Sequence, residues 1–139
     1  MSGSTLPVES PDVTAETTEF WEGLKNGTFL LKRCDRCQMV IWYPRGFCQT
    51  CGSLETSWFP ASGKGSIYTY TVVHRSIMPA WASIGPYVIA YVELDEGPRI
   101  MTNIVNADPD SLAIGAPVQV VFPTNDKGEA LYRFEPATS

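Results

Sequence analysis

The stretch KRCDRCQMVIWYPRGFCQTCGS, residues 32–53, contains all four cysteines of this 139-residue chain. They form two Cys-x-x-Cys pairs, Cys34 with Cys37 and Cys48 with Cys51, and ten residues separate the pairs. Two thiolates spaced in this way share one tight turn, and two such turns can surround a zinc ion with four sulfur atoms. Because four thiolates leave zinc no open coordination position, the motif predicts a structural site. Function must then lie elsewhere in the chain.

Other interpretations of the cysteines stay open at this stage. Four thiolates also bind iron, and two disulfides or a site that has lost its metal would fit the same spacing. In a reducing compartment, paired Cys-x-x-Cys units are typical of metal ligands. A thioredoxin-like redox centre would explain one pair only, and no βαβ pattern surrounds it. Gly52 suits the turn after the second pair, whereas Gln38 is less typical after the first.

The composition is that of one globular domain rich in turns, with 44% hydrophobic and 18% charged residues, eleven glycines and eleven prolines. The net charge of −5 argues against a nucleic-acid partner, since non-specific binding depends on neutralising phosphates. No apolar run approaches the roughly 20 residues that span a bilayer, and residues 1–14 lack the features of a signal peptide. We expect a cytoplasmic protein with no membrane partner.

Regular structure is predicted on both sides of the motif. Residues 14–27 indicate a short helix with Thr14 as N-cap and Gly27 as C-terminal stop. Its apolar residues Phe20 and Trp21 either pack on the core or contact a partner. After the motif all signals are strands, with a short helical turn at 108–115, and they favour a small five-stranded OB barrel. The predicted strands are 56–59, 65–74, 87–94, 99–105, 117–122 and 131–136.

Four stretches together resemble the DUF35 family, whose members join a rubredoxin-like zinc ribbon to an acyl-CoA-associated OB-fold. The resemblance spans nearly everything from residue 15 to 136. It implies a mainly β fold with an N-terminal helix and zinc ribbon at 14–54 and an OB-fold barrel at 55–139, and residues 1–13 before them are expected to be a flexible arm. The matching stretches are FWEGLKNGTFLLKRCDRCQMVIWYPRGFCQTCGS (20–53), GKGSIYTYTVVHR (63–75), PYVIAYVELDEGPRIMTNIV (86–105) and IGAPVQVVF (114–122).

The resemblance also implies a function. Family members are typically non-catalytic partners of thiolase-fold enzymes, namely thiolases, hydroxymethylglutaryl-CoA-forming synthases and the lipid-transfer-protein-like aldolases of steroid side-chain breakdown. Others accompany hydratases of the MaoC type. By resemblance, this chain is expected to bind a thiolase-fold partner, with a dimeric partner giving a two-plus-two assembly. It would hold acyl-CoA thioesters or complete the partner's active site.

The segment HRSIMPAWASIGPY, residues 74–87, is the most informative part of the predicted barrel. It is longer than the two to five residues usual for a hairpin loop, which suggests function. Its apolar residues Met78, Trp81 and Ile84 would be costly to leave in water. They either contact a partner or an acyl chain, or fold back and plug one end of the barrel. His74 begins this loop and is the only histidine in the chain.

Half of the ten lysines and arginines lie in residues 25–45, around the cysteine motif. Lys25 is one of them, and the other four form a basic cluster of Lys32, Arg33, Arg36 and Arg45. Lysine and arginine side chains suit the phosphates of CoA by charge and hydrogen bonding. The same residues would also suit a solvated surface or an acidic partner.

Three functions compete on this sequence. The first is a non-catalytic accessory subunit of a thiolase-fold enzyme. The second is a single-stranded nucleic-acid-binding module, because OB-folds can stack bases on aromatic residues in a basic groove. The third is catalysis by the barrel itself, dependent on His74. The inventory favours the first, since no nucleophile, base and orienting group assemble in the sequence.

Overall fold

The computed structural model describes residues 6–137. One short helix precedes eight strands, and one turn of 3-10 helix interrupts them. The elements are α1 (Thr18–Lys25), β1 (Leu30–Cys34), β2 (Val40–Ile41), β3 (Thr56–Pro60), β4 (Lys64–Val73), β5 (Tyr87–Leu94), β6 (Arg99–Ile104), the 3-10 helix (Pro109–Ser111), β7 (Pro117–Val121) and β8 (Arg133–Pro136). No helix in the described part of the chain is long and apolar enough to cross a membrane.

The last five strands form a closed barrel in the order β4-β5-β6-β8-β7, and β7 pairs back with β4. All pairs are antiparallel except β6 with β8, which are parallel. This order, with a helical turn between the third and fourth barrel strands, is the five-stranded Greek-key arrangement of an OB-fold. The predicted mainly β architecture is confirmed, and the helical turn predicted at 108–115 is a 3-10 helix at Pro109–Ser111.

The cysteine motif lies in a separate three-stranded antiparallel sheet in the order β2-β1-β3. Strand β1 pairs with β2 on one side, and along its full length with β3 on the other. The strand expected at 56–59 therefore pairs with the ribbon. It leads directly into β4, so that the ribbon sheet and the barrel are joined by a short connection.

The helix and the barrel share one hydrophobic core. Phe20 and Leu24 of α1 and Leu31 of β1 are buried in the same cluster as inward residues of the barrel such as Ile67 and Phe134. Barrel strands supply these residues by alternation, since successive side chains point to opposite faces of the sheet. Val40 of β2 and Phe59 of β3 also pack against this core. The cysteine end of the ribbon has only a small second cluster of Cys34, Ile41 and Cys48, so that apolar burial is small at that end.

The helix begins one turn later than predicted. Thr14 closes a preceding turn, in which it accepts hydrogen bonds from the Thr17 N–H and the Thr18 hydroxyl, and α1 starts at Thr18. At the other end Gly27 has φ +75°, a conformation that favours glycine, and it ends the helix as predicted.

The predicted flexible arm at 1–13 lies partly outside the described residues. Residues 6–13 have no regular secondary structure, but several of them contact the barrel. Leu6 is buried, and the Ser10 hydroxyl donates a hydrogen bond of 2.7 Å to Oε1 of Glu129.

Candidate metal centre and partner surface

The two Cys-x-x-Cys turns have the same backbone geometry. In the first, the N–H of Gln38 donates to the carbonyl of Cys34 at 2.9 Å, and in the second the N–H of Gly52 donates to the carbonyl of Cys48 at 2.8 Å. Gln38 and Gly52 both have left-handed backbones, with φ of 66° and 79°. Gln38 thus adopts in the first turn the left-handed conformation that Gly52 adopts in the second. This explains how an atypical Gln38 fits the motif.

The four sulfur atoms converge on one point. All lie within 4.8 Å of one another, and the Cys34–Cys51 and Cys37–Cys48 Sγ separations are both 3.6 Å. A zinc–sulfur distance of about 2.3 Å in a tetrahedron gives a sulfur–sulfur separation of about 3.8 Å. A disulfide requires about 2.05 Å, and all four cysteines are free. The arrangement therefore fits a tetrahedral metal and does not fit disulfide bonds.

Backbone hydrogen bonds prepare the thiolates for metal. N–H groups of Cys51 and Thr50 lower the pKa of Cys48 to about 6, and the N–H of Cys37 is the main cause that lowers the pKa of Cys34. Cys37 behaves differently: a hydrogen bond from Met39 lowers its pKa, but burial and the neighbouring thiols outweigh this and raise it to about 12. Four thiolates this close together repel one another unless a cation lies between them. The residues fit Zn²⁺, which closes the ribbon where apolar burial is small.

The predicted loop between β4 and β5 is exposed over most of its length. His74, Met78 and the neighbouring Ile77 are exposed, and Ile77 is 95% exposed. Trp81 and Ile84 are half-buried, and the Trp81 ring lies 4.7 Å from the ring of Tyr87 at the start of β5. The loop therefore does not plug the barrel. Trp81 lies over the outer side of β5 and β6, and Ile77 and Met78 are left in solvent.

The loop continues into an apolar surface that the sequence analysis missed. Tyr91 of β5 and Met101 of β6 are cross-strand neighbours on the outer side of the barrel, and both are exposed. Tyr68 of β4 is also exposed, and the Arg99 guanidinium lies 3.9 Å from its ring centroid. We call Ile77 and Met78 of the loop, together with these three residues, the apolar face: Tyr68, Ile77, Met78, Tyr91 and Met101. Strict alternation along β5 and β6 was the signal that would have found it.

A groove of about 370 Å³ links the two parts of the apolar face. It is lined by Met78 and Trp81 from the loop, Ile89 from β5 and Met101 from β6. Trp21 also lines it, so one of the two predicted helix aromatics lies at this surface.

Phe20 does not lie at a surface. It is fully buried, and its ring makes edge-to-face contacts with those of Trp21, Phe29, Trp42, Tyr43 and Tyr132. Consecutive helical residues point about 100° apart, so that Phe20 faces the core while Trp21 reaches the groove. The predicted partner or acyl contact of Phe20 is therefore replaced by a role in the core.

The basic cluster does not form one phosphate site. Lys32 is buried, donates to the Arg45 carbonyl at 3.0 Å, and lies 5.0 Å from the Trp58 ring centroid. Arg33 is its neighbour on β1 and points to the opposite face, where it stacks 4.1 Å from the Phe59 ring centroid. Arg36 is exposed in the first cysteine turn. Lys32 is therefore corrected to a structural residue, and the CoA-phosphate contact stays a prediction for the other three.

No catalytic constellation surrounds His74. In the described part of the chain its side chain has no hydrogen bond to a carboxylate, hydroxyl or thiol that could act with it. The cysteines are gathered at the metal centre, 3.6 Å apart in pairs. Residues 6–137 offer binding surfaces and no assembled acid, base and nucleophile.

A zinc ribbon joined to an OB barrel is a recognised class of protein, and comparison with known proteins identifies its family. Residues 21–57 match the model described as "ChsH2, rubredoxin-like zinc ribbon domain", and residues 58–123 match "ChsH2, C-terminal OB-fold domain". A DUF35 domain-containing scaffold protein of Methanothermobacter thermautotrophicus is 39% identical over 111 residues, which are 77% of this chain and 81% of that protein. The chain belongs to the DUF35 family.

Two further relatives carry functional names. A probable enoyl-CoA hydratase alpha subunit of Thermomonospora curvata is 35% identical over 91% of this chain, but the chain spans only 39% of that protein. A solved structure titled "Ltp2-ChsH2(DUF35) aldolase" has a TM-score of 0.82 and 34% sequence identity, covering 92% of this chain and 99% of that one. The predicted fold, the DUF35 family and the four-cysteine zinc site are thus confirmed.

Proposed function

We propose that this chain is a non-catalytic accessory subunit that binds a thiolase-fold enzyme acting on acyl-CoA thioesters. The observation that carries the proposal is the apolar face. Large apolar residues exposed together on one side of a protein mark interaction sites, and the tyrosine and methionine residues of the apolar face are of the types enriched in interface cores. In OB-folds the outer side of the second and third strands, here β5 and β6, is the usual binding side.

The absence of an assembled catalytic site in the described residues supports an accessory role, as do the relatives named scaffold proteins. The metal centre contributes by fixing the ribbon, since four sulfur ligands leave zinc no position for a substrate. We infer that the chain holds or completes the partner without performing the reaction itself.

The partner's chemistry is proposed from the relatives. The name of the solved aldolase pairs a DUF35 chain with a second component. Two relatives are named as hydratase alpha subunits, one of them for a pregnadiene-carboxyl-CoA. We propose that the partner is an aldolase or thiolase that acts on acyl-CoA thioesters in steroid side-chain degradation. The complex would contain two copies of each chain. Met78, Trp81, Ile84 and Trp21 would line the contact with the partner or its acyl group, with His74 at the rim.

Affinity capture with surface variants tests the proposal. The tagged chain is expected to recover a thiolase-fold protein in a one-to-one ratio, identified by mass. Met78→Asp places a charge in the apolar face and is expected to weaken recovery at least about tenfold, because a buried unpaired charge costs several kcal/mol.

Ile114→Asp is the matched control. Ile114 is 70% exposed in the turn before β7, outside the apolar face, so that the same charge should leave recovery unchanged. Equal loss with both variants would indicate a general solubility effect. Recovery of nucleic acid instead of a protein partner would contradict the proposal and favour the oligonucleotide-binding alternative.

A further inference from the structure

The N-terminal segment of residues 6–10, which we call the strap, crosses the barrel and is held by side chains of the barrel. Arg133 at the start of β8 donates hydrogen bonds to the carbonyls of Leu6 and Pro7. Asn125, in the connection between β7 and β8, donates to the carbonyl of Val8 at 3.4 Å. Side chains of β8 and of the connection before it thus donate hydrogen bonds to three successive backbone carbonyls of the strap, which has no secondary structure of its own.

The far end of the strap is fastened to the same connection. Oε1 of Glu129 accepts from the Ser10 hydroxyl at 2.7 Å and from Nδ2 of Asn125 at 2.9 Å. These two hydrogen bonds lower the pKa of Glu129, so that its carboxylate is charged at neutral pH. The strap is therefore anchored at both ends to the connection between β7 and β8 or to β8 itself.

Arg133 depends on the strap. Its side chain is buried, and burial lowers its pKa. No carboxylate in the described part of the chain is hydrogen-bonded to it, so the strap carbonyls are its acceptors. A buried guanidinium without acceptors would be strongly unfavourable. Removal of the strap would force Arg133 to move.

The strap also holds the loop of residues 74–86. Oε1 of Glu9 accepts a hydrogen bond of 3.4 Å from Nε1 of Trp81, and the Arg133 guanidinium lies 5.9 Å from the Trp81 ring centroid. In the described structure the backbone N–H groups of this loop make only internal hydrogen bonds, from Trp81 to the Met78 carbonyl, from Ile84 to the Trp81 carbonyl and from Met78 to the Ser76 hydroxyl. Among the described residues, Trp81 is the side chain through which this loop is hydrogen-bonded to another part of the chain. Two of its contacts are with the strap and with Arg133, which binds the strap.

We propose that the strap and Arg133 are positioning elements of the partner surface, and that they fix the loop of residues 74–86 so that Ile77 and Met78 stand beside the barrel strands of the apolar face. The consequence for partner binding rests on the proposed function. The coupling between strap and loop does not, because it is measured on this chain alone.

Hydrogen exchange of the zinc-loaded full chain tests the coupling. Glu9→Ala removes the acceptor of Trp81 and is expected to speed exchange of the loop amides of Met78, Trp81 and Ile84 about 2- to 12-fold, the range of one ordinary hydrogen bond. Glu9→Gln keeps a carbonyl oxygen at the same position and should restore slow exchange. Asp12→Ala removes an exposed acid nearby and should have no effect.

Ser10→Ala tests the coupling from a distance. The Ser10 side chain contacts Glu129 and not the loop, so faster exchange of the loop amides in this variant would support transmission through the strap. Loop amides that exchange as slowly as in the unmodified chain would overturn the proposal. Arg133→Met should release both segments, and if that variant does not fold, the Glu9 and Ser10 variants still decide.

Partner affinity separates this inference from the proposed function. If Glu9→Ala loosens the loop and weakens capture of the thiolase-fold partner by a similar factor, both stand. If it loosens the loop but leaves the affinity unchanged, the loop is not positioned for the partner and the proposal fails. If the unmodified chain captures no partner, the proposed function fails, while exchange of the loop amides still tests the coupling between strap and loop.

Discussion

Phe20→Ala should destabilise the ribbon and the barrel together. Phe20 is fully buried and contacts five aromatic rings, which come from α1 itself, the ribbon segment and the end of the barrel. Because these elements share one hydrophobic core, removal of the ring opens a cavity where the helix, the ribbon and the barrel meet.

The expected cost is near the upper end of the range for this substitution. Phe→Ala in a core costs about 3–5 kcal/mol, and each edge-to-face ring pair adds about 0.5–1.5 kcal/mol beyond burial. We expect a loss of about 4 kcal/mol in the free energy of unfolding. At about 3 °C per kcal/mol for a chain of this size, the melting temperature should fall by about 12 °C.

Urea unfolding followed by tryptophan fluorescence and by circular dichroism measures this loss. Phe47→Ala is the matched control, because Phe47 is exposed in the ribbon and its loss should cost less than about 1 kcal/mol. Both probes should report one coincident transition in both variants. A loss below about 1.5 kcal/mol for Phe20→Ala, or separate transitions for ribbon and barrel, would refute the shared core.

Three further predictions concern the turns, the metal and the barrel closure. Gly52→Ala should destabilise the zinc-loaded chain by about 1 kcal/mol from its left-handed backbone alone, because no atom lies within 4 Å of an added Cβ. Gln38→Gly should change the stability less, because relief of the left-handed backbone offsets the loss of the exposed hydrogen bond from Gln38 Nε2 to the Asp35 carbonyl; thermal melting compares the two variants. In the zinc-free chain, the lowered pKa of Cys48 stabilises the fold fully above the ordinary thiol pKa, and this stability is lost as the pH falls through about 6. Thiolate absorbance should show a titration step at that pH, and Cys48→Ser should abolish the step. Gly65→Ala should disrupt barrel closure, since an added Cβ would lie 2.5 Å from the Glu93 carbonyl oxygen; soluble, fully folded protein would contradict that prediction.

Spacing and alternation predicted most of the fold. The cysteine pairs indicated the metal centre because ligand geometry constrains sequence spacing directly. The barrel strands followed from runs of β-branched and aromatic residues, and their bounds agree within a few residues for β5 and β6. The sequence predicted a strand at 56–59 but not the strand with which it pairs, because pairing with β1 depends on the ribbon's tertiary arrangement.

The surface was harder to predict, because contacts between distant residues decide it. Phe20 and Trp21 are adjacent and similar in sequence, yet one is buried and the other lines the groove. Lys32 and Arg33 looked like one charged cluster, but strand alternation separates them. The strap depends on contacts such as that of Arg133 with Leu6, residues 127 positions apart, which no local pattern reveals.

Reconstitution tests the central claim most directly. Turnover of acyl-CoA thioesters is measured in three samples: the proposed thiolase-fold partner by itself, the partner with this chain added, and this chain by itself. We predict no turnover by the isolated chain, and a partner that loses activity or solubility without it. Turnover by the isolated chain, or a partner equally active and soluble without it, would contradict the account.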